Sequence, residues 1–121
     1  MVIQESKEMY LENIYLLLQE NGQVRSIDIA KKMNYSKPSI SKAMKNLNKE
    51  EYINIDDNGH ITLTAKGERL AKSVYEKHKI LTEYLISIGI SKKIAEEDAC
   101  RIEHVISDET FKAIKKDLKK R

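Results

Sequence analysis

Asn58-Gly59 stands between two short segments in which apolar and polar residues alternate, and this pattern limits the fold more sharply than any other feature of the chain. Tyr52 to Asp56 sets Ile53 and Ile55 against Asn54 and Asp56, and His60 to Thr64 sets Ile61 and Leu63 against Thr62 and Thr64. A dipeptide that tolerates positive φ, flanked by period-two patterning, predicts a two-stranded hairpin. On both sides the apolar period changes to three and four residues, so the hairpin is a small β insert in a mainly α chain.

Before the hairpin the pattern predicts three helices. The first spans about Glu5 to Glu20, with Met9, Leu11, Ile14, Leu17 and Leu18 near helical spacing and Asn21-Gly22 as a stop. Ser26 is expected to cap a second helix that turns Ile27, Ile29, Ala30 and Met33 inward. Asn34-Tyr35-Ser36 then forms a turn, and Ser36 caps a third helix that tolerates Pro38 in its first turn, buries Ile40, Met44 and Leu47 and runs to about Lys49. After the hairpin, Leu70, Val74, His78, Leu81, Leu85 and Ile88 mark one long helix ended near Gly89. Ser91 is expected to cap a fifth helix striped by Ala95, Ala99, Ile102 and Ile106, and Ser107 a last one bearing Phe111, Ile114 and Leu118. The closing Lys119-Lys120-Arg121 is read as a frayed tail or a helix end favoured by its dipole.

Charge then points to a partner. Between Arg25 and Lys49 seven basic residues face the single acid Asp28, a net of +6, so the rest of this +3 chain carries −3. Two short helices joined by a three-residue turn, a basic second member and a hairpin follow the order of a winged helix-turn-helix. Its recognition helix would offer Ser36, Lys37, Pro38, Ser39, Ser41, Lys42 and Lys45 to a double-stranded DNA operator, with lysines and hydroxyls reaching phosphates or base edges. With 121 residues there is room for one core or two small lobes, which places a DNA-binding domain at 1–64 and a helical lobe at 65–121. No apolar run reaches membrane-spanning length, Met1-Val2-Ile3-Gln4-Glu5 lacks the form of a signal peptide, and the lone Cys100 suits a reducing compartment, so a cytoplasmic protein is expected. Neither a nucleophile-base-orienter set nor a phosphate-cradling glycine loop is present, which argues against an enzyme.

The helical lobe carries the other chemistry. In Cys100-Arg101-Ile102-Glu103-His104 the thiol, carboxylate and imidazole stand at i, i+3 and i+4, where a helix would bring them to one face. These are complementary ligands for a divalent transition metal. Met9 with Glu12 offers a thioether and a carboxylate one turn apart, and His78 occupies an apolar position of the long helix. Taken singly, Met9 also reads as core filler, Glu12 as surface charge and His78 as a satisfied core histidine.

The strings Glu8-Met9-Tyr10-Leu11-Glu12-Asn13-Ile14-Tyr15, Lys77-His78 and Asp98-Ala99-Cys100-Arg101-Ile102-Glu103-His104-Val105-Ile106-Ser107-Asp108-Glu109 resemble the diphtheria-toxin-repressor family of metal-dependent regulators over nearly the whole chain. The resemblance implies a winged helix-turn-helix followed by a helical metal-binding and dimerisation lobe, in a repressor of metal-uptake genes activated by metal. It further implies Met9, Cys100, Glu103 and His104 as the activating site, with Glu12 and His78 matching positions of a two-metal cluster in the shorter, manganese-responsive branch. Glu96 and Thr82 stand where iron-type members carry a histidine and a glutamate, so their ancillary site is not expected here. With the chain ending at Arg121, the short two-domain form is expected, without an SH3-like third domain.

A metal shared by helix one and the helical lobe is expected to staple the two lobes in the DNA-binding geometry of a homodimer. Phe111, Ile114, Leu81 and Leu85 are candidates for the dimer seam. The soft ligands Met9 and Cys100 favour ferrous iron over manganous ion, while Glu12 pulls toward manganese, and zinc, cobalt or nickel are expected as substitutes. Two other readings stay open on residues alone. One is a winged-helix regulator of the multiple-antibiotic-resistance type with an organic effector or none; the other is a thiol-redox sensor built on Cys100, its thiol pKa lowered by His104.

Overall fold

The computed structural model describes residues 3–121, so Met1 and Val2 lie outside the described residues. Six helices and a two-stranded sheet follow in the order α1 (Ile3–Asn21), α2 (Ser26–Met33), α3 (Lys37–Lys49), β1 (Ile53–Ile55), β2 (Ile61–Leu63), α4 (Ala65–Ser87), α5 (Lys92–Ile102) and α6 (Asp108–Lys119). The chain divides into two compact units, 1–72 and 73–121. Among the described residues no helix is long and apolar enough to cross a membrane.

In the first unit α1, α2, α3, the strands and the start of α4 enclose a core of Leu11, Ile14, Leu17, Val24, Ile29, Ala30, Ile40, Met44, Leu47, Ile53, Ile61 and Ala71. The helix stops follow the turn chemistry. Gly22 takes a left-handed φ of +76°, and its N–H closes α1 on the Leu18 carbonyl at 2.9 Å. Asn34 does the same for α2 with a φ of 57°. Ser36 accepts the Ser39 N–H at 3.3 Å and so caps α3, as expected. Ser26 does not cap α2: it is the first helical residue, and the exposed amide of Arg25 is satisfied instead by the Asp28 carboxylate at 2.8 Å.

The wing pairs Ile53 with Leu63 and Ile55 with Ile61 in antiparallel register. Asn58-Gly59 belongs to a longer loop than a two-residue turn, with only Gly59 at positive φ. Asp56 organises that loop, its Oδ1 accepting the amides of Asn58 at 2.9 Å and His60 at 2.8 Å, and the His60 amide holds the Asp56 carboxyl below its ordinary pKa. Ile61 donates its N–H to the Val24 carbonyl at 2.7 Å, which ties β2 to the chain after α1. Burial alternates across the wing rather than following one end: Ile53 and Ile61 are covered, whereas Ile55, expected inward and paired with Ile61, is exposed.

Thr64 is the joint between wing and long helix, which strand patterning alone does not reveal. Its hydroxyl accepts the Gly67 N–H at 3.1 Å, capping α4, and donates to the Glu51 carbonyl at 2.7 Å. Its own N–H reaches the Tyr52 carbonyl at 3.0 Å. Gly67 makes this closeness possible, because a Cβ there would stand 2.0 Å from the Tyr52 carbonyl oxygen.

In the second unit Val74, Leu81, Ala95, Ala99 and Phe111 are buried. Burial inside the chain removes Leu81 and Phe111 from the expected dimer seam; Ile114 and Leu85 are half-buried. Gly89 turns the chain at φ +102°, and Ile88, expected on the apolar stripe of α4, lies past its end and is exposed. Ser91 occupies the N-cap position of α5 but its side chain makes no capping bond, whereas Ser107 caps α6 through the Thr110 N–H at 3.2 Å. Lys115 pairs with Glu76 at 3.0 Å and the Tyr84 hydroxyl donates to Asp117 at 3.1 Å, joining α6 to α4. Arg121 is no loose tail: it reaches Asp117 at 3.2 Å and lies over the Tyr84 ring at 5.4 Å. The Tyr84 hydroxyl, then Arg121, holds the Asp117 carboxyl below its usual range.

Thr64→Ala is expected to lose about 1 kcal/mol of stability from the missing cap, with Thr64→Ser restoring most of it. Gly67→Ala is expected to lose about 1–3 kcal/mol through forced separation of helix and Tyr52. Urea unfolding midpoints check both, and a Gly67→Ala midpoint equal to the parent's would show that the contact relaxes freely.

Candidate metal centre and nucleic-acid interface

Three sequence-predicted ligands meet in the second unit. α5 ends at Ile102, and the amides of Val105 and Ile106 both bond the Ile102 carbonyl at 3.0 Å, so Glu103 and His104 sit in a tightened turn after the helix. Glu103 keeps helical dihedrals and donates its N–H to Ala99 at 2.9 Å. That geometry drives its side chain inward until only 1% of the residue is exposed. His78, one turn past Val74 on α4, places Nδ1 2.9 Å from Glu103 Oε2, and His104 places Nε2 3.3 Å from Oε1.

A carboxylate taken out of water needs compensating charge or hydrogen bonds on both oxygens. Oε2 has the His78 ring, but Oε1 takes no hydrogen bond from any described residue. A divalent ion fits beside that oxygen in chemistry and in scale. Oxygen and nitrogen ligands about 2.0–2.2 Å from one ion, at tetrahedral or octahedral angles, stand roughly 3.0–3.5 Å apart, and Oε1 and Nε2 are separated by 3.3 Å. The second imidazole nitrogen-to-carboxylate contact, from His78, is the kind of bond that orients a ligating carboxylate.

The other proposed ligands are placed differently. Cys100 is exposed on α5, whereas Glu103, three residues later and still helical in its dihedrals, is buried. On α1 of the first unit, Glu12 is buried and Met9 is half-buried. The Tyr35 hydroxyl lies 3.9 Å from Met9 Sδ, a contact that the sequence, with Tyr35 read only as a turn residue, does not announce.

The recognition helix presents what a DNA groove requires. Ile40, Met44 and Leu47 anchor α3, while Ser36, Lys37, Pro38, Ser39, Ser41, Lys42 and Lys45 are all exposed. The Ser36 hydroxyl is already engaged, accepting the Ser39 amide and donating to Ser39 Oγ at 2.9 Å, so Ser39 and Ser41 are the freer hydroxyls for phosphate or base. Of the amides that open α3, those of Ser39 and Ile40 already bond Ser36 and Pro38 has no N–H, so the exposed Lys37 and Ser39 side chains are what this turn offers an anion.

Known proteins agree with this division of labour. The N-terminal DNA-binding domain of iron-dependent repressors matches residues 3–61, and the metal-binding and dimerisation domain of the same repressors matches residues 64–121. A helix-turn-helix transcriptional regulator of Methanocaldococcus jannaschii is 36% identical over 92% of this chain and 90% of its own length. The transcriptional regulator MntR of Escherichia coli is 36% identical over 88% of this chain and 68% of its own. The solved manganese regulator SloR superposes with a TM-score of 0.82 at 32% identity, covering 95% of this chain and 54% of that one. This chain therefore spans about half the length of that solved regulator. Family resemblance over both units, a basic recognition helix and a buried carboxylate-imidazole cluster converge: the chain belongs to the diphtheria-toxin-repressor family of metal-dependent transcriptional regulators.

Proposed function

We propose that this chain represses metal-uptake genes by binding a twofold-symmetric operator as a homodimer when charged with ferrous ion. The observation that carries the metal reading is the buried Glu103 carboxylate, with one oxygen on His78 and the other, unbonded, facing His104. Glu103 and His104 would hold the ion, His78 would orient or bridge from Oε2, and Met9, Glu12 and Cys100 would complete the ligand set. When bound, the ion supplies positive charge to a buried carboxylate and fixes the side chains that ligate it.

The remaining steps belong to the chain's own residues. Met9 and Glu12 sit on the helix that also carries Leu11, Ile14 and Leu17 of the DNA-binding core, so ligation at one end is felt by the support of α3. Lys42 and Lys45 would meet phosphates or guanine edges, Lys37, Pro38 and Ser36 the backbone beside the first turn, and Ser39 and Ser41 the groove. We place the functional boundary at residue 64, where the Thr64 cap begins α4, giving a DNA-binding domain at 1–64 and a metal-binding and dimerisation domain at 65–121. If metal favours the DNA-binding arrangement, operator must favour metal to the same degree.

Ferrous ion is preferred because a thioether and a thiolate are poor partners for hard manganous ion. The buried carboxylate of Glu12 works in the opposite direction, and relatives named for manganese make that ion the direct competitor. Zinc, cobalt and nickel would substitute in a tube, since first-row affinities alone favour them.

Chelator-treated protein is expected to bind its operator about 10–100-fold more weakly than protein restored with ferrous or manganous ion, and the restored binding should fall steeply with salt. Equal affinity in both states, measured by fluorescence anisotropy without oxygen, would remove the metal from the mechanism. Glu103→Gln and His104→Ala should abolish the metal response while circular dichroism stays helical. Met9→Asp, which exchanges a soft neutral ligand for a hard anionic one, is expected to move activation toward manganese; an unchanged ranking of the two metals would return Met9 to the core.

A further inference from the structure

Tyr35 stands at a junction that neither the core nor the recognition surface accounts for. It belongs to the turn joining α2 to α3, between left-handed Asn34 and the capping Ser36. Its N–H donates to the Ala30 carbonyl at 3.0 Å, which fixes the root of the side chain. The ring is 41% exposed, yet two consecutive residues of α1 hold it. Tyr10 meets it edge to face, with centroids 6.3 Å apart at 82°, and Met9 Sδ accepts its hydroxyl at 3.9 Å.

A thioether is a weak acceptor and the contact is long, so this bond orients the side chains at little cost to break. A metal ion competing for a sulfur lone pair would outweigh it. The phenol would then need a new acceptor, and it lies one residue before the cap of a helix whose exposed first turn carries Lys37 and Ser39, side chains suited to phosphate. We infer that Tyr35 is a coupling residue: its hydroxyl holds the Met9 thioether in metal-free protein and passes to a DNA phosphate when that sulfur is ligated. The inference rests on the reading of Met9 as a ligand. It makes the link between metal and DNA local to the first unit, because ligation frees the phosphate donor and DNA, by taking that donor, frees the sulfur.

Tyr35→Phe keeps the ring and deletes only the hydroxyl. Without DNA and without oxygen, the variant is expected to bind ferrous ion about two- to fivefold more tightly, in competition with a chromophoric chelator, because the competing bond is gone. The increase in affinity that ferrous ion gives for a duplex selected on the metal-loaded parent should shrink by a similar factor. In metal-free protein the Met9 methyl resonance, followed with 13C-methyl methionine, should shift on Tyr35→Phe. Met9→Leu should weaken ferrous-ion binding and cancel the effect of Tyr35→Phe in the double variant. If Met9→Leu weakens metal binding but Tyr35→Phe leaves metal affinity and the methyl resonance unchanged, the coupling is overturned and the ligand reading stands. Met9→Leu without effect on metal affinity overturns both.

Discussion

A carboxylate with almost no access to water governs the second unit. Glu103 sits where α5 ends and the chain tightens into a turn, and its oxygens face the imidazoles of His78 and His104. Burying such a group is costly unless its charge is met. The arrangement keeps one oxygen bonded and the other without a hydrogen bond among the described residues, which makes the position receptive to a cation. His78 ties this demand to α4, and α6 is in turn held to α4 through Tyr84, Asp117 and the Lys115–Glu76 pair.

The first unit follows a different constraint, the need to present a polar helix on an apolar foundation. Ile40, Met44 and Leu47 lock α3 onto a core shared with α1, α2 and both strands. The hydroxyl of Ser36 is committed to its own helix end, so the residues that set the orientation of α3 are distinct from the lysines that face outward. At the other border Thr64 does two tasks with one oxygen, closing α4 and holding the chain before β1, and Gly67 leaves room for it. Wing and long helix are thus joined by the Thr64 hydroxyl and by the core that Ile53 and Ile61 share with Ala71.

Much of this was legible before any coordinates. The change of period around Asn58-Gly59, the stops at Gly22, Asn34 and Gly89, and the caps at Ser36 and Ser107 are local, and local backbone preferences decide them. The ligand types at Cys100, Glu103 and His104 were legible as well, because their chemistry is in the residues themselves. Less legible are Ser26, which stands inside the helix while Asp28 bonds the Arg25 amide, and Ile55, which alternation assigns inward although it is exposed opposite the buried Ile61. Leu81 and Phe111 were candidates for a subunit contact because apolar periodicity does not distinguish an intrachain core from an interface.

What the sequence by itself determined is the element order, the basic recognition helix and the donor atoms available to a metal, since each depends on neighbours within a few residues. What only the tertiary structure decided is which of those donors is withdrawn from water. Glu103 is buried and Cys100 three residues earlier is exposed, and it is α4 that brings His78 to the buried carboxylate. The meeting of Tyr35 with Met9 and of Thr64 with Tyr52 has the same origin. A periodic pattern states which face of a helix is apolar, whereas the partner of a polar atom is set by distances through space that spacing along the chain does not encode.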